Sequence, residues 1–330
     1  MKNAISLRGV RKTFGSTTAV EKLDLDIEQG SVIGLIGPNG AGKTTTIRII
    51  MSILFPDSGS VEVLGKASAI ESKDRIGYLP EERGLYKKMR VGAFLKYMAS
   101  LKGVHAPDEK VRSWLARVGL EHTYRKRCDE LSKGMQQKVQ FIAAIIHQPD
   151  LLILDEPFSG LDPVNARMLR ELFEEQHQRG CTVIFSTHQM SQAEALCDRV
   201  VMIHQGRKVL DDTPRVIRDR FDPHAVLLEP LDEQDARIAG LASLPDVASI
   251  ERVNSHVHVY ARDGVPPSSL LARVATAVPA NRVELLRPSL EDIFIGIVEP
   301  TVISDDERKA LDSLRRAGVT PSGRSDRGGD

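Results

Sequence analysis

Apolar residues recur along this chain with two periods, and the switches between them mark out its elements. Residues 5–27 alternate apolar and polar side chains, with Leu23, Leu25 and Ile27 on one face, the pattern of half-buried strands. Glu28-Gln29-Gly30 then turns the chain into Val32-Ile33-Gly34-Leu35-Ile36, an unbroken apolar run that suits a strand buried on both faces. Leu151-Leu152-Ile153-Leu154 and Thr182-Val183-Ile184-Phe185 repeat that signature, and the helical period from about Val164 to Gln178 joins them. The spacing therefore predicts a central parallel sheet. Val61-Glu62-Val63 and Ile76-Gly77-Tyr78-Leu79 read as further strands, and helical patterns over about 91–102, 108–118 and 136–147 form an insert spanning about 85–145. Arg199 to Leu210 reads as a closing hairpin turning at Gln205-Gly206.

Beyond about residue 222 the alternation restarts. Strands are expected near 224–229, 248–253, 256–261 and 282–286, and helices near 232–243, 267–277 and 290–298. Ser289 opens the last helix with Asp292 at capping-box spacing. From Pro300 onward the chain is charged and rich in glycine, serine and aspartate, with one short helical pattern around Asp306 to Arg316, so a mobile tail is expected. The expected domains are 1–221, an α/β core with its helical insert; 222–299, a small α+β C-terminal domain; and 300–330, a disordered tail.

Composition narrows the setting. The 330 residues are 41% hydrophobic and 27% charged, ordinary for a globular chain, and 45 basic residues balance 45 acidic ones. No bulk charge draws the protein to nucleic acid or to an anionic membrane. Cys128, Cys181 and Cys197 lack CxxC spacing, which fits a reducing cytosol and argues against a disulfide framework or a zinc site. Met1-Lys2-Asn3-Ala4 runs into a strand without an apolar signal region, so an intracellular location is expected. The most apolar stretch, Phe141 to Leu154, is broken by His147-Gln148-Pro149-Asp150, short of the roughly 18 to 20 residues a membrane span needs. If the protein works at a membrane, another chain spans it.

The candidate chemistry starts where the first buried strand ends. Gly37-Pro38-Asn39-Gly40-Ala41-Gly42-Lys43-Thr44-Thr45 lies between that strand and the helical residues Ile47-Arg48-Ile49-Ile50. The glycines let backbone N–H groups turn inward around phosphate oxygens, and the helix points its positive end at them. Lys43 adds a charge for the β- and γ-phosphates, and Thr44 offers a hydroxyl to Mg²⁺. Asp155-Glu156 ends a later strand: Asp155 would hold the metal, and Glu156 would orient and deprotonate the attacking water. Two acids at a strand end can also simply cap the next helix. His188 follows another strand through Ser186-Thr187 and suits a sensor of the γ-phosphate, although a lone histidine is equally an ordinary surface or core residue. Leu131-Ser132-Lys133-Gly134-Met135-Gln136-Gln137, ahead of a long apolar helix, is a second small-residue helix start suited to an anion.

As an ordered set, these motifs and Ser159-Gly160-Leu161-Asp162 resemble the ATP-binding-cassette (ABC) ATPases over about residues 3–220. The resemblance implies a P-loop NTPase core with ATP and Mg²⁺ bound, and two copies packed head to tail. Each ATP would lie between the Lys43 loop of one subunit and the Ser132/Gly134 loop of the other. It assigns Phe14 to the ring that stacks on adenine, though Phe14 can also be plain core, and Asp162 to a loop crossing the dimer interface. The family's lid-loop glutamine is Glu81 here, placed among the metal and catalytic residues. The third and fifth signature positions are Lys133 and Met135 where glycine and glutamine are usual. Glu81 and Lys133 are expected to compensate, one adding a negative charge near the metal and the other a positive charge from the partner, although Lys133 can also simply point to solvent.

Leu85, Tyr86 and Met89 precede the first helix of the insert, which in ABC transporters grips a membrane subunit, and suit either a docking groove or packing between domains. The stretch from Gly77 to Val91, with Arg287-Pro288-Ser289-Leu290-Glu291-Asp292-Ile293-Phe294, resembles the export ATPases that include sodium-efflux and drug-resistance pumps. The expected function is an ATP-hydrolysing subunit, cytoplasmic and peripheral on the inner face of the cell membrane. It would drive a separately encoded integral membrane permease, with no nucleic-acid partner. The alternative is a soluble ABC ATPase acting on nucleic acid or the ribosome, with Arg125-Lys126-Arg127 as a contact patch or merely a solvated helix end. A P-loop kinase or GTPase leaves Leu131–Gln137 unexplained.

Overall fold

The computed structural model describes residues 2–82, 84–221 and 224–298; the expected tail at 300–330 lies outside them. The chain divides into two compact units, Met1–Thr213 and Pro214–Asp330.

In the first unit, β1 (Asn3–Phe14) and β2 (Thr17–Glu28) form a hairpin, followed by β3 (Val32–Ile36), α1 (Lys43–Ile50), β4 (Ser58–Val63) and β5 (Ile76–Leu79). The insert supplies α2 (Val91–Leu101), α3 (Pro107–Arg117) and α4 (Lys133–Ile145). The chain then returns through β6 (Leu151–Asp155), α5 (Pro163–Gln178), β7 (Thr182–Thr187), α6 (Met190–Leu196), β8 (Arg199–His204) and β9 (Arg207–Asp212). Among the described residues, β2-β1-β4 make an antiparallel sheet, and β5-β6-β7-β3-β8-β9 make a second sheet, parallel except for the edge hairpin β8–β9. Gln205 and Gly206 turn that hairpin at φ 48 and 76, the left-handed pair a two-residue turn demands.

The unbroken apolar runs have a direct packing cause. Leu152 and Leu154 of β6 and Val183 and Phe185 of β7 join the core shared with the insert helices, whereas Leu151, Ile153 and Ile184 join the core beneath α1 and the antiparallel sheet. Both faces of these strands are buried, so no polar face remains to alternate. Phe185 anchors the first core, meeting Phe173 and Phe158 edge-on at centroid distances of 5.5 and 6.1 Å.

Helix α4 starts three residues before the predicted 136, because Ser132 itself caps it and draws the signature turn into its first turn. The short helix α6 was not anticipated; its seven residues are too few to show a helical period.

The second unit contains α7 (Pro214–Arg220), β10 (Ala225–Pro230), α8 (Ala236–Gly240), β11 (Val247–Val253), β12 (His256–Ala261), α9 (Pro267–Ala277), β13 (Ala280–Leu285) and α10 (Leu290–Val298). Its strands pair antiparallel in the order β11-β12-β10-β13 around a core of Val226, Leu228, Val257, Val259, Leu270 and Val274. The predicted helix at 232–243 is shorter, starting after the Asp235 cap and ending in a 3-10 turn at Leu241–Ser243. The capping box at α10 forms: Asp292 N donates to Ser289 Oγ at 3.1 Å, and Ser289 N donates to Asp292 Oδ2 at 2.9 Å.

Candidate functional site

Parallel register brings the chemistry together. Leu79 pairs with Leu154, Asp155 with Ser186, and Thr187 with Ile36, so β5, β6, β7 and β3 end at one edge. Residues just beyond those carboxyl ends converge there, the usual place for a ligand in an open α/β sheet.

Gly42 caps α1 at φ 111, and a Cβ at this position would lie 2.3 Å from the Ala19 carbonyl oxygen. Having no side chain, Gly42 leaves the first N–H groups of α1 open toward an anion, and the first turn carries no acid that would repel one. Lys43 is buried, and its Nζ donates to the Gly37 and Pro38 carbonyls at 2.7 and 3.0 Å. Burial pushes its amino group down from the ordinary lysine value, while Glu156, Asp155 and Glu81 pull it back up. All three predicted carboxylates therefore act on one cation.

Thr44 Oγ1 donates to Asp155 Oδ1 at 3.3 Å, and Ser186 donates to the same oxygen. The other oxygen, Asp155 Oδ2, is buried with no hydrogen-bond partner among the described residues. A buried carboxylate oxygen without a donor, beside a hydroxyl at a helix start, is the oxygen-ligand chemistry a hard divalent cation requires, and these residues fit Mg²⁺.

Glu156 adopts φ 50, uncommon for a residue with a side chain, and its backbone N donates to Ser186 Oγ at 3.0 Å. Its carboxylate is 3.0 Å from His188 Nδ1 and 4.0 Å from Lys43 Nζ. The side chain of Glu156 is 9% exposed and that of His188 42%, so the histidine bridges the buried acid to solvent. Glu81, exposed just after β5, is in electrostatic reach of Lys43 and Tyr78.

Ser132, Gly134 and Asp162 form a second group, sharing no hydrogen bond or ion pair with the Lys43 group among the described residues. Ser132 Oγ accepts from Met135 N at 3.4 Å, and Asp162 caps α5 by accepting from Val164 N and Asn165 N at 3.1 and 3.0 Å. Those bonds, the Asn165 ones foremost, hold the Asp162 carboxyl below its ordinary value. Phe14 stands apart at the end of β1, 49% exposed with Lys12 Nζ 5.7 Å from its ring centre, so it is not core.

Ser186, Asn165 and the approach of Arg48 to Tyr78 escaped the sequence reading. Ser186 had a signal: the parallel strands set it level with Asp155. Arg48 and Tyr78 had none, because they lie on elements far apart in the chain; burial pushes the Tyr78 hydroxyl up to about 12. Burial likewise raises Cys128 to about 11 and Cys181 to about 12, which leaves both as unreactive thiols.

A family model described as ABC transporter matches residues 20–159, and one described as the C-terminal domain of DrrA1-3-like ATP-binding proteins matches residues 213–298. The ABC transporter ATP-binding protein YhaQ of Bacillus subtilis (strain 168) is 38% identical over 88% of this chain and 97% of its own length.

The chain belongs to the ABC transporter ATP-binding proteins. The bacitracin transport ATP-binding protein BcrA of Bacillus licheniformis is 30% identical to this ABC subunit over 90% of the chain and 98% of BcrA. The Nod factor export ATP-binding protein I of Rhizobium sp. (strain N33) is 33% identical over 90% and 97%. A solved ATP-binding subunit of an ABC transporter superposes with a TM-score of 0.62 at 30% identity, covering 66% of this chain and 93% of that one. Proteins of this family hydrolyse ATP with Mg²⁺ and work with a membrane permease. Among the described residues no helix is long and apolar enough to cross a membrane.

Proposed function

We propose that two copies of this chain close head to tail on two ATP molecules and transmit that closure to a membrane export permease, beside which the ATPase sits on the inner face of the cell membrane. The observation that carries the reading is the split of the site. Lys43, Thr44, Asp155, Glu156 and His188 meet at the sheet edge, while Ser132, Gly134 and Asp162 form a separate group free to serve a second copy's nucleotide. The relatives named for bacitracin transport and Nod factor export support the outward direction.

In this reading the open N–H groups at Gly40, Gly42, Lys43, Thr44 and Thr45 bind phosphate oxygens, with Pro38, Asn39 and Ala41 shaping the loop. Lys43 neutralises the β- and γ-phosphates, and the exposed Phe14 offers its ring to adenine. Thr44 and Asp155 hold Mg²⁺, with Glu81 adding negative charge at the lid. When bound, the metal neutralises charge developing on the transferred phosphoryl group. Glu156, fixed by its backbone bond to Ser186 and its carboxylate bond to His188, orients water and accepts its proton. His188, at the exposed end of that pair, reports on the γ-phosphate.

The permease contact in this reading is an apolar band beside the insert. Leu85 turns into the core, whereas Tyr86, Tyr97 and Leu101 stay 54, 45 and 56% exposed. Tyr86 packs edge-on to Tyr97 and Phe94 at 6.1 and 6.0 Å, making a firm aromatic ledge that suits an apolar helix of a membrane chain. Arg127, by contrast, is tied to Asp129, which leaves less of the basic cluster for nucleic acid.

Affinity purification of the full chain from its own cells tests the reading. A hydrophobic membrane chain is expected to co-purify and to be lost in Tyr86→Asp; co-purifying ribosomes or DNA would overturn it.

A further inference from the structure

The signature glycine is crowded by a neighbour rather than strained in its own backbone. Gly134 lies outside the left-handed φ region, yet a Cβ built on it would sit 3.0 Å from Asn165 Nδ2, 3.5 Å from Asn165 Cγ and 3.9 Å from Leu161 Cδ2. The half-buried Asn165 faces two ways. Its amide packs against the Gly134 turn and also donates to Asp162 Oδ2, while Asp162 Oδ1 accepts from Val164 N at 3.1 Å and Asn165 N at 3.0 Å. One side chain thus joins the signature turn, from the insert, to the Asp162 loop, from the sheet core. Beside it Val164 is 76% exposed, a large apolar side chain turned outward. Gln137 Nε2, which donates to the Pro157 carbonyl at 3.0 Å, ties the same two segments one turn further in.

We propose that Asn165 is a positioning residue that locks the Ser132–Gly134 turn and the Asp162 loop into one preset surface for a second copy of the chain. The inference rests on the two-copy reading above. A surface fixed in advance forfeits less conformational freedom on closing than one assembled at contact, so its loss weakens association more than nucleotide capture. Val164 gives that surface an apolar spot that closure would bury. Nucleotide capture belongs to the Lys43 group, which shares no hydrogen bond or ion pair with Asn165 among the described residues.

The test uses the full-length Glu156→Gln protein with ATP and Mg²⁺, and reads dimer dissociation by analytical ultracentrifugation over a concentration series. Asn165→Ala is expected to raise the dimer dissociation constant about tenfold, while ATP affinity measured below the dimerising concentration stays within about twofold. Asn165→Asp, of equal size but opposing a second carboxylate to Asp162, is expected to weaken the dimer further. Gly134→Ala is expected to weaken it too, and the Gly134→Ala/Asn165→Ala pair to be no worse than Asn165→Ala alone, since the crowded amide is gone. A dimer constant unmoved by Asn165→Ala overturns the clamp while leaving the two-copy reading intact. Parallel losses of thermal stability, ATP affinity and dimerisation also overturn it, by showing a general structural role. If the Glu156→Gln parent stays monomeric with ATP, the two-copy reading falls, and the role of Asn165 falls with it.

Discussion

Glu156 Oε1 accepts from His188 Nδ1 at 3.0 Å, and it does so from a backbone held at φ 50. Strain of this kind costs on the order of 1–3 kcal/mol and persists where neighbours over-determine it. Here the two bonds from Glu156 N, to Ser186 O at 3.2 Å and to Ser186 Oγ at 3.0 Å, are those neighbours. The pair fixes where a proton can be taken from water.

Replacing Glu156 with Gln keeps the size and removes the basic oxygen. ATP binding is expected to persist while turnover falls by a factor on the order of 10² or more. His188→Ala is expected to slow turnover as well, and the double variant to be little slower than Glu156→Gln, because both act on one water. Steady-state ATPase assays check this; near-normal turnover in Glu156→Gln removes it from the role of base.

The unpartnered Asp155 Oδ2 makes a metal prediction. Asp155→Asn preserves an oxygen for Thr44 and Ser186 but puts a neutral amide where the free carboxylate oxygen stood. The Mg²⁺ concentration for half-maximal ATPase is expected to rise about tenfold or more, since a hard cation favours charged oxygen ligands. A Mg²⁺ titration matching that of the parent would count against Asp155 as a ligand.

Gly42→Ala puts a methyl group 2.3 Å from the Ala19 carbonyl on a residue at φ 111. Both effects distort the start of α1, so nucleotide affinity is expected to drop at least about tenfold, with a lowered unfolding midpoint. Fluorescent-nucleotide titration and calorimetry read the two outcomes separately.

Lys133 is exposed and makes no ion pair among the described residues, so it is free to reach a partner's Glu81. Glu81→Gln and Lys133→Gly are each expected to change the ATPase rate, and together by less than the sum of their separate effects. Simple additivity across the double-mutant cycle removes the compensation.

His147 gives the fold a pH dependence. Burial, with Lys102 nearby, lowers its imidazole from the ordinary 6.5 to about 4, and Nε2 lies 3.2 Å from the Ile76 carbonyl. The folded chain stays neutral there while the unfolded chain takes up a proton, so stability present above pH ~6.5 is lost as pH falls toward ~4. Denaturant midpoints are expected to drop between pH 7 and pH 5, and to drop less in His147→Gln. Equal drops in both proteins would place the effect elsewhere.

The glycine loop and the order of motifs after it were legible because each chemistry-bearing residue follows a buried apolar strand, and such strands announce themselves. Asp155, Glu156 and His188 stand one to three residues past such runs. What stayed hidden was contact between remote segments. Nothing in the local pattern marks Asn165 as the neighbour of Gly134, or Arg48 as a cation within reach of Tyr78, because both relations join segments far apart in the chain. Leu85 illustrates the same limit: an apolar loop residue reads alike whether it turns inward or outward.

By itself, then, the order of residues determined the nucleotide chemistry, the α/β layering and the candidate ligands of phosphate and metal, since period and loop composition act over a few residues. Tertiary structure alone decided which carboxylate oxygen is left without a donor among the described residues, how closely Asn165 crowds residue 134, and which aromatic residues form the outward ledge. Those outcomes depend on burial and on distances of a few ångströms between segments far apart in the chain, and no local pattern encodes such distances.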